Sequence, residues 1–413
     1  TTASVTPSPS SKTNKWRYTA AFMAFAALSG IAFYGTMSIL VPQRLRDRLE
    51  NSTAVLGAIN SAGSIVSIFI ALFVGALSDR TASKWGRRTP WIFTGAFVYG
   101  ICFWSLSRPS SALIIGICYV LALIGLNMVQ APIYALISDR VEEESRATVS
   151  AAIGGGGVIG QGISTLIGSL FITNMEVGFV CTGLCALLAG VLAVVIAPRE
   201  PSSKNIHKDA GKPLWKVVVE SLTPPLKDCG DFYRAFICRT CLIVAYQMIF
   251  SYQLYILQDH IGQSKTQAAA IQVISVLTMI ASMVASLIPA DRRRLGRRKA
   301  PIMVACVVFA VGLAMPWIFP TAMGMYLFGG ISSFGYGMYL SVDQALNVDV
   351  LPNKETAGKD PGFMNIATAP EAIGVAITSS IVTILGSYNF VFPTAIAMAI
   401  IAAVAVLGIK RVK

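Results

Sequence analysis

Charge is what this sequence has least of. Only 13% of its 413 residues are Asp, Glu, Lys or Arg, about half the share of an ordinary soluble domain. A water-soluble fold of this length cannot cover its core with so little polar surface, and 54% hydrophobic residues exclude a disordered chain. Histidine is nearly absent: His207 stands in a polar stretch and His260 at the end of an apolar one. No residues are spaced as nucleophile and base, and no cluster has metal-ligand spacing. The glycine run 154–157, with Gly160 and Gly162, lacks the Gly-Lys-Ser/Thr of a phosphate loop and is expected to allow close helix approach. An enzyme is therefore the least expected reading, and no cofactor or metal is implied. Cysteine gives no disulfide framework. Seven of the eight lie inside apolar runs, and Cys238-Arg-Thr-Cys241 has no second pair, so packing is the expected role.

Long apolar runs are what the chain has in quantity. A spanning helix needs about 20 mostly apolar residues, and twelve such runs occur: 18–42, 52–77, 90–107, 111–138, 147–172, 177–197, 232–258, 266–289, 300–319, 322–350, 361–387 and 391–409. The expected class is an all-α membrane protein. Its divisions are a disordered cytoplasmic tail 1–16, a six-helix bundle 17–197, a cytoplasmic linker 198–231, a second six-helix bundle 232–409 and a tail 410–413. Orientation follows from the placement of Lys and Arg. With both termini cytoplasmic, 27 of the 33 fall on the inner side and 5 on the outer, with Arg239 inside the seventh run. The net charge of +13 is thus a positive-inside signature, and nucleic acid is not an expected partner.

The two halves echo one another. Asp79-Arg80…Gly86-Arg87-Arg88, between runs two and three, is matched by Asp291-Arg292…Gly296-Arg297-Arg298, between runs eight and nine. Gly125, Met128, Ala135, Leu136 and Asp139 recur 210 residues later as Gly335, Met338, Ala345, Leu346 and Asp349. Two echoes at one offset mark parallel repeats, which place a substrate site between halves near the bilayer midplane.

Gly75-x-x-x-Asp79-Arg80…Gly86-Arg87-Arg88 resembles the signature loop of the major facilitator superfamily. That resemblance implies a conformational latch on the cytoplasmic side, built from Gly75, Asp79, Arg80, Gly86, Arg87, Arg88, Asp139 and Arg146, with Asp291, Arg292, Gly296, Arg297 and Asp349 as its echo. Ser78-Asp79-Arg80-Thr81…Gly86-Arg87-Arg88-Thr89-Pro90-Trp91 is similar to the branch of glycoside–cation and sucrose–proton symporters. So are Asn127-x-x-Gln130-x-Pro132-x-x-Ala135-Leu136-x-x-Asp139 and Val342-Asp343-Gln344-Ala345-Leu346…Gly358-Lys359-Asp360-x-Gly362-x-x-Asn365. The resemblance to bacterial members implies residence in a bacterial inner (plasma) membrane. Helix-2 aspartates that bind sodium in the glycoside symporters are missing, since Asn60, Ser61, Ser64 and Ser67 stand there instead. A proton is the expected coupling ion.

Ionisable groups inside a bilayer are costly and mark function. Three lie well within the runs: Arg239, Asp343 and Glu371. By helical rise the first two are about 10 Å deep and Glu371 about 15 Å. Arg239 and Asp343 suit an ion pair, and Glu371 suits a proton carrier or a hydrogen-bonded structural acid. Polar residues form stripes: Arg239, Tyr246 and Gln253 at i, i+7, i+14; Tyr336, Tyr339 and Asp343; Asn127, Gln130 and Tyr134. With Tyr34, Asn60, Gln161, Asn365 and Glu371 they supply the amides, carboxylates and rings that a sugar's hydroxyls and apolar face require. Interhelical hydrogen bonding is the plainer use of any one of them. The expected function is proton-coupled uptake of a sugar or glycoside by alternating access. Export of an amphipathic drug or metabolite is the alternative within transport. A non-transporting sensor or scaffold is the alternative outside it.

Overall fold

The computed structural model describes residues 9–108, 111–200, 202–203, 230–286, 299–340 and 370–408. Among these residues every regular element is helical. In chain order, α1 is Pro9–Gly35, continued by a π turn Thr36–Leu40 and a last stretch Val41–Arg46. It is followed by α2 (Ser52–Asp79), α3 (Thr89–Ser105), α4 (Ala112–Arg140), α5 (Glu143–Leu170) and α6 (Met175–Ile196). The rest are α7 (Gly230–Phe250), α8 (Lys265–Ala285), α9 (Lys299–Ile318), α10 (Ala322–Leu327, a π turn Phe328–Ser332, then 333–340), α11 (Pro370–Leu385) and α12 (Val391–Leu407). Nine of the described helices are long and apolar enough to cross a membrane. Of the other three, α3 has 17 residues, α10 is divided by its π turn and α11 has 16.

Inner and outer below follow the orientation given by the Lys/Arg count. Three helices that start on the outer side carry hydroxyl caps. Ser111 accepts from Ile114 N, Thr321 accepts from Gly324 N, and Ser264 forms a reciprocal box with Gln267. Each satisfies amides that a helix start leaves without an intrahelical partner.

The seventh apolar run, read from the sequence as one stretch 232–258, is interrupted. α7 stops at Phe250, and a turn at Ser251–Tyr252 leads to a short piece Gln253–Tyr255 and a π turn Ile256–His260. Neither Gly nor Pro marks the break. A tertiary anchor holds it: the buried Tyr252 donates its hydroxyl to Val375 O at 3.2 Å, and its amide bonds Ile249 O in a tightened turn. Gln253 thereby leaves the face it would share with Arg239 and Tyr246 on an unbroken helix and is fully buried.

By contact the chain divides into two compact units. Unit 1 comprises residues 1–36, 69–167 and 174–217; unit 2 comprises 37–68, 168–173 and 218–413. The core of unit 1 interleaves Tyr18, Phe22 and Phe25 of α1 with Ile92 and Ala96 of α3, Val129 and Ile133 of α4, and Ala189 and Ala193 of α6. In unit 2 the buried face of α12 is a stripe of small residues, Ala395, Ala399 and Ala402, which lets helix backbones approach closely where lipid provides no hydrophobic drive. α5 uses two of its glycines in the same way: a Cβ on Gly156 or Gly160 would stand 2.6 or 2.4 Å from a carbonyl oxygen of α1. Large apolar residues Phe93, Phe97 and Ile101 recur along an exposed face of α3, as a lipid-facing helix requires.

The 210-residue echo carries a packing contact with it. In unit 1 a Cβ on Gly125 would meet Tyr99 N at 2.5 Å and Gly95 O at 2.8 Å. In unit 2 a Cβ on Gly335 would meet Phe309 N at 2.6 Å and Ala305 O at 2.8 Å. Each partner in the second pair stands 210 residues after its counterpart in the first. The sequence echo is thus a repeated helix crossing.

Candidate functional site

In unit 1 four of the residues expected to form a latch, Asp79, Arg87, Arg88 and Asp139, meet around one buried cation. The Arg88 side chain is 4% exposed, against 55% for Asp79 and 27% for Asp139. Its guanidinium donates to Asp79 Oδ1 at 3.0 Å, to Asp139 Oδ2 at 2.7 Å and to Pro132 O at 3.4 Å. Arg87 adds a second donor to Asp139 Oδ2 at 2.5 Å. The α2–α3 loop is thereby tied to the inner end of α4. A buried guanidinium needs such company, because its desolvation is only repaid by close acceptors. Arg146 lies nearby in sequence and donates Nε to Val141 O at 3.1 Å. Arg80 is exposed, and Gly75 accepts from Ser78 Oγ. Asp291, Arg292, Gly296, Arg297 and Asp349, the expected echo of that cluster, lie outside the described residues.

The same loop is held by residues that the sequence reading passed over. Glu200, two residues into the linker, accepts from Arg88 N at 3.0 Å, Thr89 N at 2.9 Å and Thr89 Oγ1 at 3.0 Å. A carboxylate on the first amides of α3 satisfies them and meets the positive end of the helix dipole. Gly86 makes room for it, with φ at 92° and a would-be Cβ 2.2 Å from Glu200 Cβ. Buried Ser203 closes the arrangement: its amide donates to Ser83 O, and its hydroxyl accepts from Ser83 N and donates to Thr81 O, each at 3.0 Å. Glu200 lies 112 residues from its partner in the chain, so no local spacing could have pointed to it.

In unit 2 the polar residues gather along α7. The Gln247 amide donates to the Glu371 carboxylate at the start of α11, and Ser251 Oγ donates to Gln247 Oε1 at 3.1 Å. Tyr246 stacks on Phe250 and on Tyr336 at centroid distances of 5.0 Å, nearly parallel in both cases, and its hydroxyl meets Met279 Sδ. Tyr339 is buried against Tyr336. Farther out, Gln253 Oε1, Gln272 Oε1, Ser275 Oγ and Ser333 Oγ are buried with no hydrogen bond among the described residues. Arg239 is half-buried; Asp343 and Asn365 lie outside the described residues. Asn60 is half-buried on α2. In unit 1, Asn127 turns its amide back to Leu123 O at 2.8 Å, while Gln130 donates to Tyr134 OH at 3.0 Å. Tyr34 and Gln161 are half-buried there.

Also in unit 2, the outer ends of α1 and α7 are joined by charge. Arg46 grips Asp259 with both terminal nitrogens and lies over the Tyr255 ring at 5.7 Å. Lys265 pairs with Asp47 at 2.9 Å. Gln258 donates to Gln43 Oε1 at 2.9 Å, and Tyr255 OH donates to Pro42 O at 2.8 Å. Beside them, burial against Phe392 lowers the pKa of His260, partly offset by a hydrogen bond to the Pro316 backbone.

A family model for the Major Facilitator Superfamily matches residues 21–368. The chain belongs to the major facilitator superfamily. Solved facilitators share its fold at low identity. A variant of the nucleoside transporter NupG aligns with a TM-score of 0.75 and 14% identity, over 95% of this chain and 99% of that one. A D-xylose–proton symporter aligns at 0.68 and 15%, over 96% and 97%. The human organic anion transporter MFSD10 (TETRAN) aligns at 0.68 and 15%, over 95% and 99%. No curated protein matches the chain at a significant level. As a facilitator the protein is an integral membrane transporter and not an enzyme.

Within the facilitator frame, the π turns in α1 and α10 and the π turn after α7 all lie toward the outer side. Such turns shift the register of a helix and collect at functional positions. The four charges Arg46, Asp47, Asp259 and Lys265 were visible in the sequence only as loop residues. No local spacing marked them, since the partners stand 213 and 218 residues apart in the chain.

Proposed function

We propose that this facilitator carries a sugar or glycoside inward by alternating access, coupled to a proton, in a bacterial plasma membrane with both termini cytoplasmic. One observation carries the reading: an intramembrane carboxylate, Glu371, is held by an amide one residue from the Tyr246–Tyr336 stack. A sugar presents hydroxyl donors to carboxylate and amide oxygens and an apolar ring face to an aromatic. Glu371 meets these needs and can also bind a proton. The buried oxygens of Gln253, Gln272, Ser275 and Ser333 add acceptors that call for donors. Asp79, Arg88 and Asp139 latch the inner side, and the Arg46–Asp259 and Asp47–Lys265 pairs hold the outer.

The test begins with thermal stabilisation of purified protein against mono-, di- and trisaccharides, glycosides, nucleosides and hydrophobic cations. Ligand at a hundredfold excess over Kd adds about 2.7 kcal/mol to apparent stability. A response to one sugar with silent epimers supports the reading, and a response confined to hydrophobic cations replaces it with export. For coupling, Glu371→Gln should abolish accumulation against a gradient in proteoliposomes while leaving exchange intact. Undiminished accumulation by that variant would remove Glu371 from the coupling role.

A further inference from the structure

Helices α3 and α6 cross at a pair of glycines in unit 1. A Cβ on Gly100 would stand 2.8 Å from Gly183 O, and one on Gly183 would stand 2.8 Å from Gly100 O and from Trp104 N. Outward of this crossing lies a cavity of about 470 Å³. Its wall is formed by Trp104, Ser107 and Arg108 from the end of α3 and Glu176, Val177 and Val180 from the start of α6. The volume is ample for a small ligand. Arg108 and Glu176 give its wall one cation and one anion, from different helices, and both are exposed. The two valines and the indole give it an apolar side.

Two apolar tracks lead away from the cavity toward the bilayer interior. On α6, Val177, Val180, Leu184 and Leu188 recur at helical spacing and are all exposed. On α3, Trp104, Ile101, Phe97 and Phe93 do the same. Trp104 sits at the outer end of its helix, the depth at which tryptophan meets lipid headgroups. Opposite charges at the headgroup level above two acyl-wide tracks match one kind of molecule.

We propose that this cavity seats the headgroup of a phospholipid with a primary ammonium, such as phosphatidylethanolamine, in the outer leaflet. Arg108 takes the phosphate, as guanidinium groups do through paired N–H donors. Glu176 takes the ammonium, whose three N–H groups all donate. The acyl chains follow the two tracks. A choline headgroup carries a positive charge without N–H donors, and a glycerol headgroup offers Glu176 no cation. The site therefore selects among lipids of equal chain length, and it is independent of what the protein transports.

The test uses the full chain in detergent, titrated with phosphatidylethanolamine, phosphatidylcholine and phosphatidylglycerol of identical acyl chains, with retained lipid read by native mass spectrometry. Charge-assisted hydrogen bonds of the usual strength imply that the ethanolamine lipid is held about tenfold more tightly than the other two. Glu176→Gln should erase the preference for ethanolamine over choline, and Arg108→Gln should weaken retention of all three. Val180→Trp, which fills the cavity and removes neither charge, should lose retention altogether. Free phosphoethanolamine, without chains, should not displace the lipid. Equal retention of ethanolamine and choline lipids by the wild type would overturn the proposal. So would a preference for the glycerol lipid, a preference that survives Glu176→Gln, or displacement by free phosphoethanolamine at equal concentration.

Discussion

At the scale of single residues, the inner cluster separates stability from transport. Arg88 is buried, and Asp139 is its less exposed carboxylate partner. Removing that charge leaves the guanidinium with a partner that is more than half exposed to solvent. Asp139→Asn should therefore cost on the order of 3 kcal/mol, as breaking a largely buried pair does. Asp79→Asn loses an interaction screened by water and should cost less than about 1 kcal/mol. Yet if Asp79 works the latch, its loss slows turnover while substrate affinity stays nearly constant. Melting curves and uptake kinetics on the same two variants check both halves. Equal destabilisation, or affinity falling in step with rate, would show that Asp79 does not have the role assigned to it. Asp79, Arg88 and Asp139 were legible in the sequence because a short motif and a repeat marked them. Glu200 was not, because its three hydrogen bonds join a linker to a loop and neither stretch carries a periodic signal.

At the scale of helices, length and apolarity sufficed to mark the nine spans found among the described residues, since a bilayer admits few other backbone arrangements. Departures from straight helix were not legible. The π turns and the break at Ser251–Tyr252 contain no proline, and at Ser251–Tyr252 a tertiary hydrogen bond to Val375 O holds the turn. The crossings are different, because glycine records them. Gly125 and Gly335 stand at equivalent places in the two repeats with backbone atoms at 2.5 and 2.6 Å from a would-be Cβ. Gly154 and Gly157 meet nothing within 4 Å. Gly125→Ala and Gly335→Ala should each destabilise by about 1–3 kcal/mol through overpacking. Gly154→Ala and Gly157→Ala should be neutral or stabilise by up to about 1 kcal/mol through helix propensity. Thermal unfolding of the four variants measures this directly. Similar losses at all four positions would mean that the glycines serve flexibility and not close approach.

At the scale of the whole molecule, the charge count gave an orientation but treated each outer charge as a label of side. Arg46, Asp47, Asp259 and Lys265 instead pair off, and their side chains are each about one third exposed. Pairs of that exposure are worth about 0–1 kcal/mol apiece, which is negligible against unfolding. Against an equilibrium between conformers a few kcal/mol apart it is not negligible, since 1.4 kcal/mol shifts a population ratio tenfold. The outer pairs should therefore bias which side is open and leave overall stability almost unchanged. Ser61, whose hydroxyl donates to Ala372 O at 3.0 Å, offers a reporter below the pairs. With native cysteines replaced by serine, Ser61→Cys should react slowly with an impermeant maleimide applied from outside. Arg46→Asp or Asp259→Arg alone should raise that rate by about tenfold, through loss of one pair and introduction of a repulsion. The two together restore an ion pair of reversed sense and should return the rate to its starting value. A double variant as reactive as either single would mean that the shape of the side chains, and not their charge, governs access to Ser61.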